Sequence, residues 1–268
     1  MVQNACQSTS CPVESDACCV DTWHPLPITA ISGPTFEMTP LSTPHISYTG
    51  RQTDIAALFD VDNTLLPGQA SEVRFFRFLW KRGLVGWREV RDSIQWVLRC
   101  APPVSLHPLR ERKLYLAGKG AAEVEALAEE FCRTELCPRL SAQGLSRMDE
   151  HRRAGHHIVL VTGSLDFLIA PLAALLEVQT LLAARLEQQE QQFTGHVCAP
   201  LPYGPGKREL IARLTRDSGI DLAQSFAYGD SPGDVELLEM VGHPLVVNPI
   251  RGMDRIAQRN GWPITTWT

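Results

Sequence analysis

Three short runs of the chain carry side chains suited to phosphoryl chemistry. Asp60-Val61-Asp62-Asn63-Thr64 sets two carboxylates two residues apart behind an apolar run, and Thr162-Gly163-Ser164 sets two hydroxyls around a glycine. Gly229-Asp230-Ser231-Pro232-Gly233-Asp234 adds two further carboxylates, and Lys207 follows the turn-forming Tyr203-Gly204-Pro205-Gly206. If these runs converge, Asp60, Asp62 and Asp230 repel one another at a cost on the order of several kcal/mol unless a cation sits among them. Oxygen donors of this kind select a hard divalent ion, and Mg²⁺ suits an open site shared with phosphate oxygens. With that charge neutralised, one Asp can attack phosphorus while another protonates the leaving oxygen and then activates water. Thr162 and the backbone amides from Gly163 onward, opening a helix, suit the phosphate oxygens. Lys207 can reach back to complete the charge balance.

Each run taken alone has a plainer structural use. Asp-x-Asp after a strand makes turns and caps, and Ser164 is of the type that caps a helix. Ser231 and Asp234 have capping-box spacing with Pro232 at the first helical position, so Asp234 serves structure as well as chemistry. A lysine on a helix is ordinarily solvated. The conjunction of all four, with the three motifs each behind a predicted strand and Lys207 behind its turn, is what points to an active site.

The elements that must position these groups are legible in the hydrophobic pattern. Apolar runs over 55–59, 157–161 and 225–228 predict buried parallel strands that end on the polar motifs. Further strands are predicted over 181–187, 193–197 and 245–248, with helices from 165 onward and over 207–217 and 232–241. Strands alternating with helices give an α/β fold, an open, parallel, Rossmann-like sheet with helices on both faces. Such sheets bind ligands beyond the carboxyl ends of their strands, where all three motifs fall. Between the first two motifs the period turns helical, with Val73, Phe76, Leu79 and Trp80 on one face and Val90, Ile94, Val97 and Leu98 on another. Helices are also predicted over 111–117, 121–132 and 141–154, so about eighty residues form a helical insert after the first strand.

Composition narrows the function. The formal net charge is −5, and the first fifty residues hold Glu14, Asp16, Asp21 and Glu37 with no Lys or Arg, which argues against a nucleic-acid or anionic-lipid partner. No apolar stretch of about eighteen residues spans a bilayer, the longest run being broken by Asp166 and Pro171. The chain start lacks the basic and apolar regions of a secretory signal, so a soluble cytoplasmic protein with no membrane partner is expected. Its eight cysteines are then read as reduced thiols, and Cys6, Cys11, Cys18 and Cys19 lack zinc-site spacing. Residues 1–50 hold six prolines and thirteen Ser or Thr without periodicity, the pattern of a flexible extension.

These motifs resemble those of the haloacid dehalogenase (HAD) superfamily, specifically its subfamily IB, phosphoserine phosphatase-like branch, over about residues 54–250. Thr162 to Leu168, Phe193-Thr194-Gly195, Tyr203-Gly204-Pro205-Gly206-Lys207 and Ala227-Tyr228-Gly229-Asp230-Ser231 carry the likeness beyond the acids. The resemblance implies a magnesium-dependent phosphatase that hydrolyses a small phosphorylated metabolite through an aspartyl-phosphate on Asp60. It implies Asp62 as general acid/base and as a metal ligand through its backbone carbonyl, and Asp230 as the remaining carboxylate ligand. Thr162, Gly163 and Lys207 would bind phosphate, with Asp234 and Ser164 in support. Residues 69–154 correspond to the family's helical cap, set on a core of 51–68 and 155–268. Gln69 stands nine residues after Asp60, where phosphoserine phosphatases carry a Glu that meets the substrate ammonium. A neutral amide gives up that charge-assisted contact, which implies a substrate other than phosphoserine. Phosphotransfer to an alcohol and a non-catalytic regulatory role are the alternatives.

Overall fold

A strand with no polar face has to lie inside a sheet covered on both sides, and β1 (Ala56–Phe59) is such a strand, buried at every residue. Ala57 and Phe59 enter one core, Ala56 and Leu58 another. In the computed structural model, which describes residues 54–100 and 108–268, the chain then runs through helices before it returns to the sheet. These are α1 (Ser71–Lys81), α2 (Trp87–Cys100), the short α3 (Pro108–Glu111), a 3₁₀ turn over Leu114–Leu116, α4 (Ala121–Phe131) and α5 (Ala142–Arg153). There follow β2 (His157–Leu165), α6 (Asp166–Leu175), β3 (Thr180–Ala184), β4 (Leu186–Gln189), β5 (Gln192–Val197) and α7 (Pro205–Ser218). The chain closes with β6 (Phe226–Gly229), α8 (Val235–Leu238), β7 (His243–Val247), α9 (Met253–Asn260) and β8 (Ile264–Thr265). The extension over 1–50 that the sequence suggests lies outside the described residues.

The main sheet has the order β3-β2-β1-β6-β7-β8, with every neighbouring pair parallel. Its strands alternate between two cores. Ile158, Leu160 and Tyr228 face the core built with α1, α4 and α6, whereas Val159, Val161 and Ala227 face that of α7, α8 and α9. Each fully buried Leu, Ile or Phe contributes roughly 1.5–3 kcal/mol of transfer free energy, so the pattern on β1 and β2 pins the register. The open parallel sheet with helices on both faces agrees with the sequence pattern. No helix among the described residues is long and apolar enough to cross a membrane.

Three local expectations are corrected. The strand over 181–187 is two strands: β3 ends at Ala184 in the main sheet, and Leu186 pairs with Val197 in the antiparallel hairpin β4–β5. Leu182, Ala183, Ala184 and Leu186 are all buried, so the apolar run conceals the exchange of partners. The helix over 111–117 is interrupted by an extended contact with the hairpin, where Arg112 bridges His196 and the Lys113 amide donates to the Gly195 carbonyl at 2.7 Å, and only the 3₁₀ turn over Leu114–Leu116 remains. Backbone groups satisfied by the hairpin are not available to an intrahelical ladder. The helix over 232–241 is a 3₁₀ turn over Pro232–Asp234 leading into the four-residue α8. In addition, α9 and β8 lie beyond the last element that the hydrophobic pattern marked.

Candidate active site

Register alone assembles the centre. Phe59 lies beside Leu160 on one side and Tyr228 on the other, and the Asp60 amide continues the ladder by donating to the Tyr228 carbonyl at 2.9 Å. Asp60 is the next residue after Phe59, Thr162 is two beyond Leu160, and Asp230 is two beyond Tyr228. All three therefore emerge at the same carboxyl edge, and all three are buried.

Lys207 joins them from the first turn of α7. The turn before it is tight, since a Cβ on Gly206 would sit 1.7 Å from the Leu201 carbonyl oxygen. The ammonium donates to Asp60 Oδ1 at 2.8 Å, to the Val161 carbonyl at 3.0 Å and to Asp234 Oδ1, matching its three donors with three acceptors. The solvated role usual for a helical lysine is thus excluded. Burial by itself would lower the Lys207 pKa, but the charges of Asp234 and Asp60 outweigh it and hold the ammonium above its ordinary value. Burial would likewise raise Asp234, and the Lys207 charge overcomes this to hold it below the usual carboxylate range. Asp60 moves the other way: its burial dominates the pull of Lys207, and the like charges of Asp234 and Asp230 add to the rise. Burial also pushes Asp230 up to about 7, against a hydrogen bond from Asn63.

Asp234 closes the capping box with Ser231, accepting on Oδ2 from the Ser231 amide and hydroxyl at 3.1 Å and from the Asp230 amide at 3.2 Å. Gly229 allows this approach, because a Cβ there would lie 2.5 Å from that of Asp234. Asp60, Asp230 and Asp234 each place a carboxylate oxygen within 4.8 Å of the others. One ammonium cannot balance three buried carboxylates, so an all-oxygen donor set with excess negative charge fits a hard divalent cation. The oxygens of Asp234 are already engaged by Lys207, Ser231 and Asp230, which leaves Asp60 and Asp230 better placed to hold an ion.

The Asp62 side chain stands outside that trio. It accepts from the Ser71 amide at 2.6 Å, the Ser71 hydroxyl at 3.1 Å and the Ser164 hydroxyl at 2.6 Å. Ser164 therefore orients Asp62 and does not cap α6, whose N-cap is Leu165. Thr162 Oγ1 accepts from the Ser164 amide at 3.1 Å, and Gly163 exposes its backbone at the cavity. Gln69 is turned away: its side-chain carbonyl accepts from Arg77 at 2.6 Å, and it does not line the cavity.

Sequence reasoning missed several participants. Ser71 opens α1 and grips Asp62, a contact that nothing in its spacing reveals. Asn63 has a left-handed backbone (φ 59°) and donates to Asp230 Oδ2 and to the Asn248 carbonyl, both at 2.9 Å. Asn directly after the Asp-x-Asp run was a usable signal, because its short amide tolerates that conformation. Glu72 was missed too. It faces the cavity and accepts from Lys113 Nζ at 2.7 Å and Tyr115 Oη at 3.1 Å. The cavity at these groups measures about 910 Å³ and is lined by the acids, Thr162 and Lys207 and also by residues of α1, α2 and the 110–115 segment.

Buried acids around one ammonium at the carboxyl edge of a parallel sheet, in a chain with a helical insert after its first strand, are the arrangement of a hydrolase built on a Rossmann-like α/β core. The chain belongs to the haloacid dehalogenase-like hydrolase family, whose profile matches residues 57–239, and it is a phosphatase of the phosphoserine phosphatase-like kind. It is 29% identical over 246 residues to a probable phosphatase of Mycobacterium tuberculosis, covering 90% of this chain and 84% of that one. It is 30% identical over 217 residues to a phosphoserine phosphatase of the same organism, covering 78% and 70%. The crystal structure of a Bordetella pertussis protein of unknown function superposes with a TM-score of 0.68 at 31% identity, covering 80% of this chain and 98% of that one.

Proposed function

We propose that this chain is a magnesium-dependent phosphatase that hydrolyses a small-molecule phosphomonoester through a phosphorylated Asp60. The observation that carries this reading is the meeting of Asp60, Thr162, Lys207 and Asp230 at one end of a single cavity, with Asp62 beside them. Residues 69–154 act as a cap over a core of 51–68 and 155–268 and keep bulk water from the first step. Asp60, Asp230 and the Asp62 backbone carbonyl would hold Mg²⁺, which when bound would supply the charge neutralisation that lets a carboxylate approach a phosphate dianion.

The chain's own residues then divide the work. An Asp60 carboxylate oxygen attacks phosphorus, and the bond to the leaving oxygen breaks as Asp62 gives that oxygen a proton. The hydroxyl of Thr162, the Gly163 backbone amide and the Lys207 ammonium hold the phosphoryl oxygens as charge develops on them. Asp62 next takes a proton from water, whose oxygen attacks the same phosphorus and displaces Asp60, releasing inorganic phosphate. Ser71 and Ser164 keep Asp62 aimed throughout.

A screen of phosphorylated metabolites, scored by inorganic phosphate with and without Mg²⁺, tests this reading. Metal-dependent phosphate release that disappears in Asp60→Asn is the expected result. Turnover that persists in that variant overturns the proposed nucleophile, and label retained in an organic phosphate product would assign transfer in place of hydrolysis.

A further inference from the structure

The lining that α1 and α2 contribute to the same cavity is of a different character. Val73 and Phe76 stand three apart on α1, and Val90, Ile94 and Leu98 stand at four-residue steps on α2, so each set shares one helix face. The α2 set alone forms a stripe about 12 Å long at 1.5 Å per residue. Val73 is 44% exposed, Ile94 54% and Leu98 75%, although all three line a concavity. Large apolar side chains gathered in this way, and not scattered singly, mark a surface built to be covered. At about 910 Å³ the space lies near the top of the range of roughly 300–1,000 Å³ usual for ligand pockets.

Charge on the same wall excludes one class of leaving group. Away from the phosphate end, Glu72 is the one acid among the described residues lining the cavity. Its carboxylate is occupied by Lys113 at 2.7 Å and Tyr115 at 3.1 Å. Arg110 lies 3.4 Å over the Tyr203 ring and Arg112 5.4 Å from that of Trp96, and both line the cavity. A substrate ammonium would meet cations here and a carboxylate already paired with a lysine.

We propose that the substrate is the phosphomonoester of a long-chain, uncharged aliphatic alcohol, with its phosphate at Asp60 and its chain along the Val73–Leu98 wall. This rests on the phosphatase reading above and names its substrate class. The chain is committed by continuity, since one cavity joins the phosphate end to the apolar stripe.

The test uses the full-length protein with Mg²⁺ and the series ethyl, butyl, hexyl, octyl and decyl phosphate, with 2-aminoethyl phosphate and phosphoserine as charged comparators. The expected kcat/KM rises about fourfold per added methylene until the stripe is filled, and the aminoethyl ester falls below ethyl phosphate. Ile94→Asn, at an exposed position, should shrink the decyl-to-butyl ratio, and Lys113→Met, which frees Glu72, should raise the ratio of aminoethyl to ethyl phosphate. Equal kcat/KM across the series, or a preference for the ammonium-bearing esters, overturns this inference and leaves the phosphatase reading intact. Absence of phosphate release from every ester overturns the phosphatase reading instead. Calorimetric binding of the matching alkylphosphonates then decides the wall without turnover: affinity that climbs with chain length supports it, and affinity independent of length refutes it.

Discussion

The two ends of the cavity are built on opposite principles. At the sheet edge Asp60, Lys207, Asp230 and Asp234 are buried and Asp62 is half-buried, with three acceptors on Lys207, three donors on Asp62 and four on Asp234. On the helical wall the apolar side chains are half exposed and carry no polar constraint. A displacement at the edge disturbs several partners at once, because low dielectric makes each unpaired group costly. A change on the wall alters only how much apolar area a ligand can cover. The proposed chemistry is therefore lodged where the fold is rigidly specified, and the proposed selectivity where substitution is cheap.

The strongest way to break this contrast is at the proposed nucleophile. Asp60→Asn should lower turnover by on the order of 10⁴-fold while circular dichroism shows an intact fold, since the amide keeps the shape but cannot attack phosphorus. Lys207→Met should abolish activity and also destabilise the protein by about 3–5 kcal/mol, read from urea midpoints, because Asp60 and Asp234 are left buried without their counter-charge.

A smaller effect joins the insert to the sheet. His151 on α5 is buried, with Nε2 at 2.6 Å from the Tyr228 hydroxyl and Nδ1 at 2.8 Å from His156. Burial, with the neighbouring His156 and Arg147 charges, lowers its pKa to about 4. The unfolded chain, with a histidine near 6.5, binds more protons in the window between these values. Stability is thus complete above pH 6.5 and falls as the pH drops towards 4. The expected loss between pH 7 and 5 is about 2 kcal/mol from this group, measurable by denaturant titration. The slope should flatten in His151→Asn.

The mildest change sharpens the comparison. Ser164→Ala removes one of three donors to Asp62 and should lower kcat about five- to tenfold, in line with roughly 1 kcal/mol per hydrogen bond, with little change in KM. An equal loss in KM would place Ser164 against the substrate itself.

Much of this protein was readable before any coordinates. The alternation of apolar runs with helical periods was enough for the parallel sheet, because a strand buried on both faces admits few other placements. A shared strand direction then put Asp60, Thr162 and Asp230 on one edge. What stayed hidden depends on contacts between residues far apart in the chain. Ser71 and Ser164 meet at Asp62 across about a hundred residues, and Asn63 reaches Asn248 across 185. The exchange of partners at Leu186 leaves the hydrophobic pattern unchanged, and the hairpin's claim on Lys113 overrides local helical preference. Gln69 lies just before α1 and Glu72 in its first turn, and only the tertiary packing decided which of them faces the cavity. Periodicity records which side of an element is buried. It does not record which partner buries it, and that choice belongs to the tertiary fold.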